Sequence, residues 1–129
     1  MKVKTADLIG AALDWAVAKC DGYDEWEWDR DVSDLWVIRR STQTEHWLKG
    51  YYEPSTDWAQ GGPIIDREKF GVCHYNESDG WEVPNWAAWR TDVDDRVQIM
   101  GETALIAAMR CFVASKLGDE VDVPDELMT

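Results

Sequence analysis

Basic side chains are scarce in this sequence: 13 Lys and Arg stand against 26 Asp and Glu, a formal charge of -13 at pH 7. A field of that sign repels nucleic acid and anionic membrane surfaces, so direct binding to either is not expected. Cysteine is sparse as well. Cys20, Cys73 and Cys111 are odd in number and show no paired spacing, which argues against a disulfide framework. Cys73 and His74 are adjacent, and Cys20 and His46 lie far from them in sequence, so no zinc pattern is present and no metal is expected. There are two histidines, neither in a recognised motif, which leaves Ser55, Thr56 and the thiols without an evident base. Carboxylate pairs such as Asp57 with Asp66, or Asp66 with Glu68, arise by chance in so acidic a chain. Neither a Gly-x-Gly-x-x-Gly run nor a phosphate loop ending in Gly-Lys-Ser/Thr occurs, so no cofactor is expected and catalysis is not supported. No apolar stretch approaches the roughly 18 residues of a membrane span. The opening Met1-Lys2-Val3-Lys4-Thr5 leads into an apolar pattern broken by Asp7 and Asp14, unlike a signal peptide, so a cytoplasmic setting is expected.

What the chain does have is enough apolar residue for a core. With 129 residues, 45 % hydrophobic and 30 % charged, it reads as one folded domain over 1–129, closed by an acidic tail from about Pro124. Nine tryptophans exceed what such a core needs, so one or two are expected on a concave or partner-facing surface, and a symmetric dimer is a reasonable expectation. The acid is unevenly spread. From Leu35 to Asn76, Glu45, Glu53, Asp57, Asp66 and Glu68 are balanced by Arg39, Arg40, Lys49, Arg67 and Lys69. This neutral middle leaves room for a pocket that tolerates an anionic ligand.

Periodicity supplies the elements. Lys2 to Lys4 suits a short strand, and Thr5 suits the N-cap of a helix whose stripe is Ile9, Ala12, Leu13, Ala16, Val17 and Cys20, with Gly22 as terminator. Asp21 to Asp34 holds seven acids around Trp26 and Trp28 and reads either as an edge strand or as a solvated loop. Leu35 to Ile38 reads as a buried strand, while His46 to Tyr52 is a strand broken at Gly50 or an aromatic loop. Ile64 to Phe70 suggests one helical turn. Gly71 to Tyr75 suggests a strand running into a turn at Asn76 to Gly80. Trp86 to Arg90 and Arg96 to Met100 suggest a hairpin with a five-residue connection. Gly101 opens a second helix lined by Leu105, Met109, Phe112, Val113 and Leu117 and stopped by Gly118, and Asp119 to Val123 suits an edge strand. The expected fold is α+β, two amphipathic helices packed on a small, mainly antiparallel sheet.

The stretch Pro54-Ser55-Thr56-Asp57-Trp58-Ala59-Gln60-Gly61-Gly62-Pro63-Ile64-Ile65 reads as a shaped loop, because prolines and paired glycines break helices and central strands. It is either an ordered connection, with Ser55, Thr56 and Asp57 bonding nearby backbone and Trp58 plugging the core, or a binding loop. In the second reading Trp58, with Trp47, Tyr51 or Trp89, stacks a planar ring, the N–H groups of Gln60, Gly61 and Gly62 meet an anionic oxygen, and Arg67 or Lys69 supplies charge. The candidate ligand-binding residues are therefore Ser55, Thr56, Asp57, Trp58, Gln60, Gly61, Gly62, Arg67 and Trp89.

Two blocks carry a resemblance. Ser55-Thr56-Asp57-Trp58-Ala59-Gln60-Gly61-Gly62-Pro63-Ile64-Ile65-Asp66-Arg67-Glu68 and the run from Ala104 to Val121 resemble the NinX-like family of small tailed-bacteriophage (lambdoid) proteins, as do Met1 to Leu8 and Ala12 to Ala18. Residues around Trp26 and Trp28, and from Asn76 to Asp95, match poorly. The resemblance implies an accessory phage protein working in the host cytoplasm, and it implies no catalytic residue. By analogy with other accessory proteins, the expected role is a non-enzymatic one: sequestering a small nucleotide-like ligand, such as a host immune signal, at Ser55 to Arg67. The alternative is an acidic inhibitor or DNA mimic that uses Asp21 to Asp34 and the C-terminal acids against a basic host protein.

Overall fold

A computed structural model describes residues 1–23, 25–40, 47–75, 86–93 and 97–128, with 38–40 and 47–49 described through their backbone. The chain runs β1 (Lys2–Lys4), a 3-10 turn (Thr5–Asp7), α1 (Gly10–Cys20), β2 (Glu25–Asp29), β3 (Asp34–Arg40), β4 (Trp47–Tyr51), α2 (Trp58–Glu68), β5 (Phe70–His74), β6 (Trp86–Arg90), β7 (Ile99–Gly101), α3 (Ala104–Leu117), β8 (Glu120–Asp122) and a closing 3-10 turn (Asp125–Met128). The strands form three small antiparallel sheets, ordered β1-β8, β2-β3-β4 and β5-β6-β7. The α+β class is as expected, with a third helix and a division of the sheet added.

The core is built on α3. Every residue from Ala104 to Val113 is buried, and α1 crosses it with Ala12 to Ala18 buried without a break. Small side chains at Ala104, Ala107 and Ala108 admit close neighbours all round the helix, while Met109, Phe112 and Val113 fill the space between elements. Thr103 caps α3, its hydroxyl accepting from the Ile106 amide at 3.1 Å. The Arg110 guanidinium is only 4 % exposed, and its Nη2 pairs with Glu102 Oε2 at 3.4 Å. Its Nε donates to the Leu8 carbonyl at 2.8 Å and its Nη1 to the Met100 carbonyl at 2.9 Å, tying the entry to α1 to the end of β7 across α3.

Several local expectations change. Thr5 does not cap α1. Its hydroxyl donates to the Gly118 carbonyl at 2.6 Å and its amide to the Asp119 carbonyl at 2.8 Å, so this tertiary tie takes the group a cap would use, and α1 starts only at Gly10. Gly22 (φ 87) and Gly118 (φ 88) do stand just past their helices. The acidic stretch settles as the strand reading: β2 lies at an edge of its sheet, with Glu25, Glu27 and Asp29 exposed and Trp26 and Trp28 half-buried. β4 continues through Gly50 rather than breaking there. The second strand of the C-terminal hairpin is shorter than expected, β7 covering Ile99–Gly101, because Val97 is 70 % exposed and has no apolar face to join. Gly101 thus ends a strand instead of opening α3. The acidic tail is not free, since Leu127 is 6 % exposed and the Val123 amide donates to the Met1 carbonyl at 2.8 Å. The expected turn at Asn76 to Gly80, His46, Asp24 and the end of the Thr91 to Asp95 connection, Asp94 and Asp95, lie outside the described residues.

The largest correction concerns Pro54 to Ile65, which is not a loop beyond Asp57. Trp58–Glu68 is an α-helix with Gly61, Gly62 and Pro63 inside it. Local preference opposes this by about 1 kcal/mol per glycine and about 3 kcal/mol for an internal proline. Tertiary contacts override it. The Asp57 carboxylate accepts from the Ala59 amide at 2.9 Å and caps the first turn, while Ile64 and Gly61 bury the inner face. A Cβ on Gly61 would lie 2.7 Å from Leu105 Cδ2 and collide with the Pro54 carbonyl oxygen. Glycine is needed there because α2 passes so close to its own entry turn and to α3.

Candidate functional site

The hairpin of β3 and β4 delivers Val37, Gly50 and Tyr51 to one wall of a hollow, and Tyr52 follows as the chain leaves the sheet, its amide donating to the Leu35 carbonyl at 2.9 Å. A tight turn at Glu53–Thr56 then reverses the chain into α2. That helix faces the hairpin with Ala59, Gln60, Pro63, Ile64 and Arg67, a stripe at helical spacing. Asp21 and Tyr23, just beyond α1, close the third side. The enclosed volume is about 370 Å³.

Two polar clamps hold the walls apart. The Gln60 side chain reads the backbone of the opposite wall as a strand would: its Oε1 accepts from the Glu53 amide at 2.9 Å and its Nε2 donates to the Tyr51 carbonyl at 3.1 Å. Asp14 on α1, 6 % exposed, accepts from the Ser55 amide at 2.9 Å and so anchors the turn to the core. Burial pushes the Asp14 carboxyl up to about 6, against the lowering pull of the Ser55 hydroxyl and amide.

Within the hollow, Tyr23 and Tyr52 meet edge to face at 5.5 Å between ring centres. Tyr52 is 9 % exposed, and among the described residues its hydroxyl has no hydrogen-bond partner. Burial, followed by the charges of Asp21, Tyr23 and Asp14, raises its pKa above the ordinary phenol value, so it stays a neutral donor. At the rim Tyr51 is 39 % exposed, and its hydroxyl is pushed up to about 12, first by its hydrogen bond to Glu53. Half-exposed Arg67 also lines the hollow. Its Nη2 donates to Asp21 Oδ1 at 2.8 Å, its Nε to Glu68 Oε2 at 2.9 Å, and its guanidinium carbon lies 5.6 Å from the centre of the Phe112 ring.

Of the residues singled out by sequence, the structure brings Gln60 and Arg67 to this hollow and turns the rest to other uses. Ser55 is buried beside Asp14, Asp57 caps α2, and Gly61 is a packing position. Thr56 and Trp58 are exposed, Trp58 by 58 %, so Trp58 does not plug the core. The Gln60 and Gly61 amides both donate to the Asp57 carbonyl, at 3.0 Å and 2.8 Å, which removes them as anion donors. Gly62 sits in the same helix. Trp89 belongs to the other three-stranded sheet, where its indole covers Gly71, and it does not line the hollow. Asp21, Tyr23 and Tyr52 were missed. They carry no local motif, and only the closure of α1 on the hairpin brings them together. Among the described residues, no three His, Cys, Asp or Glu side chains come close enough to hold a metal ion, and no helix is long and apolar enough to cross a membrane.

Three helices over three short antiparallel sheets, with an aromatic hollow between a hairpin and a helix, define a small α+β domain protein. The chain belongs to the bacteriophage P22 NinX family, whose model matches residues 4–116 and so spans the hollow and all three helices. No curated protein matches it.

Proposed function

We propose that this phage protein is a non-enzymatic binding protein that sequesters a small nucleotide-like ligand, such as a host immune signal, in the host cytoplasm. The site is the hollow between β4 and α2, which replaces the glycine-lined loop expected from sequence. One observation carries the reading: Tyr52 lines a hollow of about 370 Å³, and its buried hydroxyl has no partner among the described residues. A buried polar group left unsatisfied costs about 1–3 kcal/mol, which a ligand acceptor would recover. Ligand sites are concave, largely apolar and furnished with a few fixed polar groups, and this one pairs aromatic and aliphatic walls with Tyr52 and Arg67.

A second reading rests on β2, whose exposed Glu25, Glu27 and Asp29 line one face of an edge strand and would suit a basic host protein. Phage infection separates the two. Tyr52→Phe with Arg67→Ala is expected to abolish the infection phenotype while a Glu25→Gln, Glu27→Gln, Asp29→Asn variant retains it. The reverse pattern favours the β2 surface, and folded variants that both behave as wild type overturn both readings.

A further inference from the structure

We infer that the hollow takes a single uncharged heterocycle, as in a nucleoside, and leaves phosphate groups outside. This depends on the hollow being a ligand site, as proposed above, and narrows what enters it.

Size gives the first argument. At about 370 Å³ the hollow is at the lower end of the roughly 300–1,000 Å³ typical of small-molecule sites. One ring system with a sugar fits that space, and a dinucleotide does not. Charge gives the second. Arg67 is the one cation among the described lining residues, and it already serves Asp21 at 2.8 Å and Glu68 at 2.9 Å. Lys116 approaches the same group of charges only through Glu68, at 3.8 Å. Among the described residues, a phosphate that reached Arg67 would have to displace a carboxylate from it and leave that carboxylate facing the incoming anion. Glu53 and Asp34 both act on the Tyr51 hydroxyl, which places more negative charge at the rim. The net charge of -13 also slows the approach of any anion.

What the hollow offers instead suits a neutral ring. Tyr23, Tyr51 and Tyr52 provide flat aromatic surface, and Val37 and Ile64 add aliphatic surface. The Tyr52 hydroxyl donates to a ring nitrogen or carbonyl. Asp21, held beside it by Arg67, accepts from a ring N–H. A heterocycle carrying both an acceptor and an N–H satisfies both groups with no charge brought into the site.

The test titrates the full chain with adenosine, guanosine, cytidine and uridine and with their 5′-monophosphates, reading binding by calorimetry and by the tyrosine ring resonances. At least one nucleoside is expected to bind about tenfold or more tighter than its monophosphate. Tyr52→Phe, which keeps the ring and its contact with Tyr23, is expected to weaken that nucleoside about tenfold without lowering the melting temperature. Asp21→Asn with Glu68→Gln is expected to narrow the gap between nucleoside and monophosphate. A monophosphate that binds as tightly as its nucleoside, with Tyr52→Phe weakening both, overturns the exclusion of phosphate and leaves the hollow as the site. Binding by neither series, or binding that Tyr52→Phe does not change, overturns the inference and the assignment of the site together.

Discussion

α3 and α2 are both helices, and they are helices for opposite reasons. α3 carries a continuous apolar sequence, is capped by Thr103 and is buried from Ala104 to Val113. Nearly any arrangement that buries those residues makes it helical. α2 carries Gly61, Gly62 and Pro63 and buries only Gly61 and Ile64 completely. It is helical because particular groups meet it: the Asp57 cap, the Gln60 clamp on Tyr51 and Glu53, and the Pro54 carbonyl and Leu105 against Gly61. The difference shows where this fold keeps its specificity. The generic helix forms the core, and the one that needs particular contacts forms a wall of the candidate site.

The sharpest way to break that contrast is within α2 itself. Gly61→Ala forces a methyl against the Pro54 carbonyl and Leu105, and a loss of about 4 kcal/mol is expected by urea unfolding. In α3 the informative change is electrostatic. Arg110→Met keeps the bulk but leaves the Leu8 and Met100 carbonyls without their donor, for an expected loss of about 3 kcal/mol.

The Asp14 anchor predicts a pH dependence. Its folded value of about 6 lies above the ordinary aspartate value of 3.8, so the folded state binds this proton more tightly. Its contribution is therefore full below about 3.8 and is lost as pH rises through about 6. Asp14→Asn keeps an acceptor for the Ser55 amide and removes the titration. The wild type minus Asp14→Asn difference in unfolding free energy should favour the wild type by about 2 kcal/mol more at pH 4.5 than at pH 7. A flat difference would remove the account of Asp14 as a buried carboxylate.

The smallest effect has the opposite sign. A Cβ on Gly62 meets only Trp58 Cε3, at 3.8 Å, so Gly62→Ala should stabilise α2 by up to about 1 kcal/mol. Adjacent glycines that respond in opposite directions would show that α2 is held by place rather than by composition. Equal responses would contradict it.

The same contrast explains what could be read from sequence. α1, α3, β3, β5 and β6 are legible because their apolar residues form runs of the right length for the element, ended at α1 and α3 by glycine. β2 was legible as one of two readings, since the alternation of Trp26 and Trp28 with Glu25, Glu27 and Asp29 is a strand pattern. α2 was not, because Gly-Gly-Pro is a breaker by every local rule, and the groups that override it lie at Asp57, Pro54 and Leu105. The candidate site was half legible. Of the residues expected to bind ligand, Gln60 and Arg67 line the hollow, with the Gln60 side-chain amide bonded to backbone and Arg67 paired with Asp21 and Glu68. Trp58 and Trp89 were chosen because tryptophan is in excess, yet one is exposed and the other covers Gly71. Tyr23 and Tyr52 become neighbours only through the packing of α1 against the hairpin, a contact that no spacing encodes.

The central claim is that the hollow beside Tyr52 holds a small ligand, and native mass spectrometry of the protein purified from infected bacteria tests it most directly, with Tyr52→Phe purified in parallel. The account predicts a stoichiometric extra mass on the wild type, released by denaturation as a heterocycle without phosphate, and little or none on the variant. Wild-type protein that flies at the mass of the bare chain, or that retains a basic host protein instead, would contradict it.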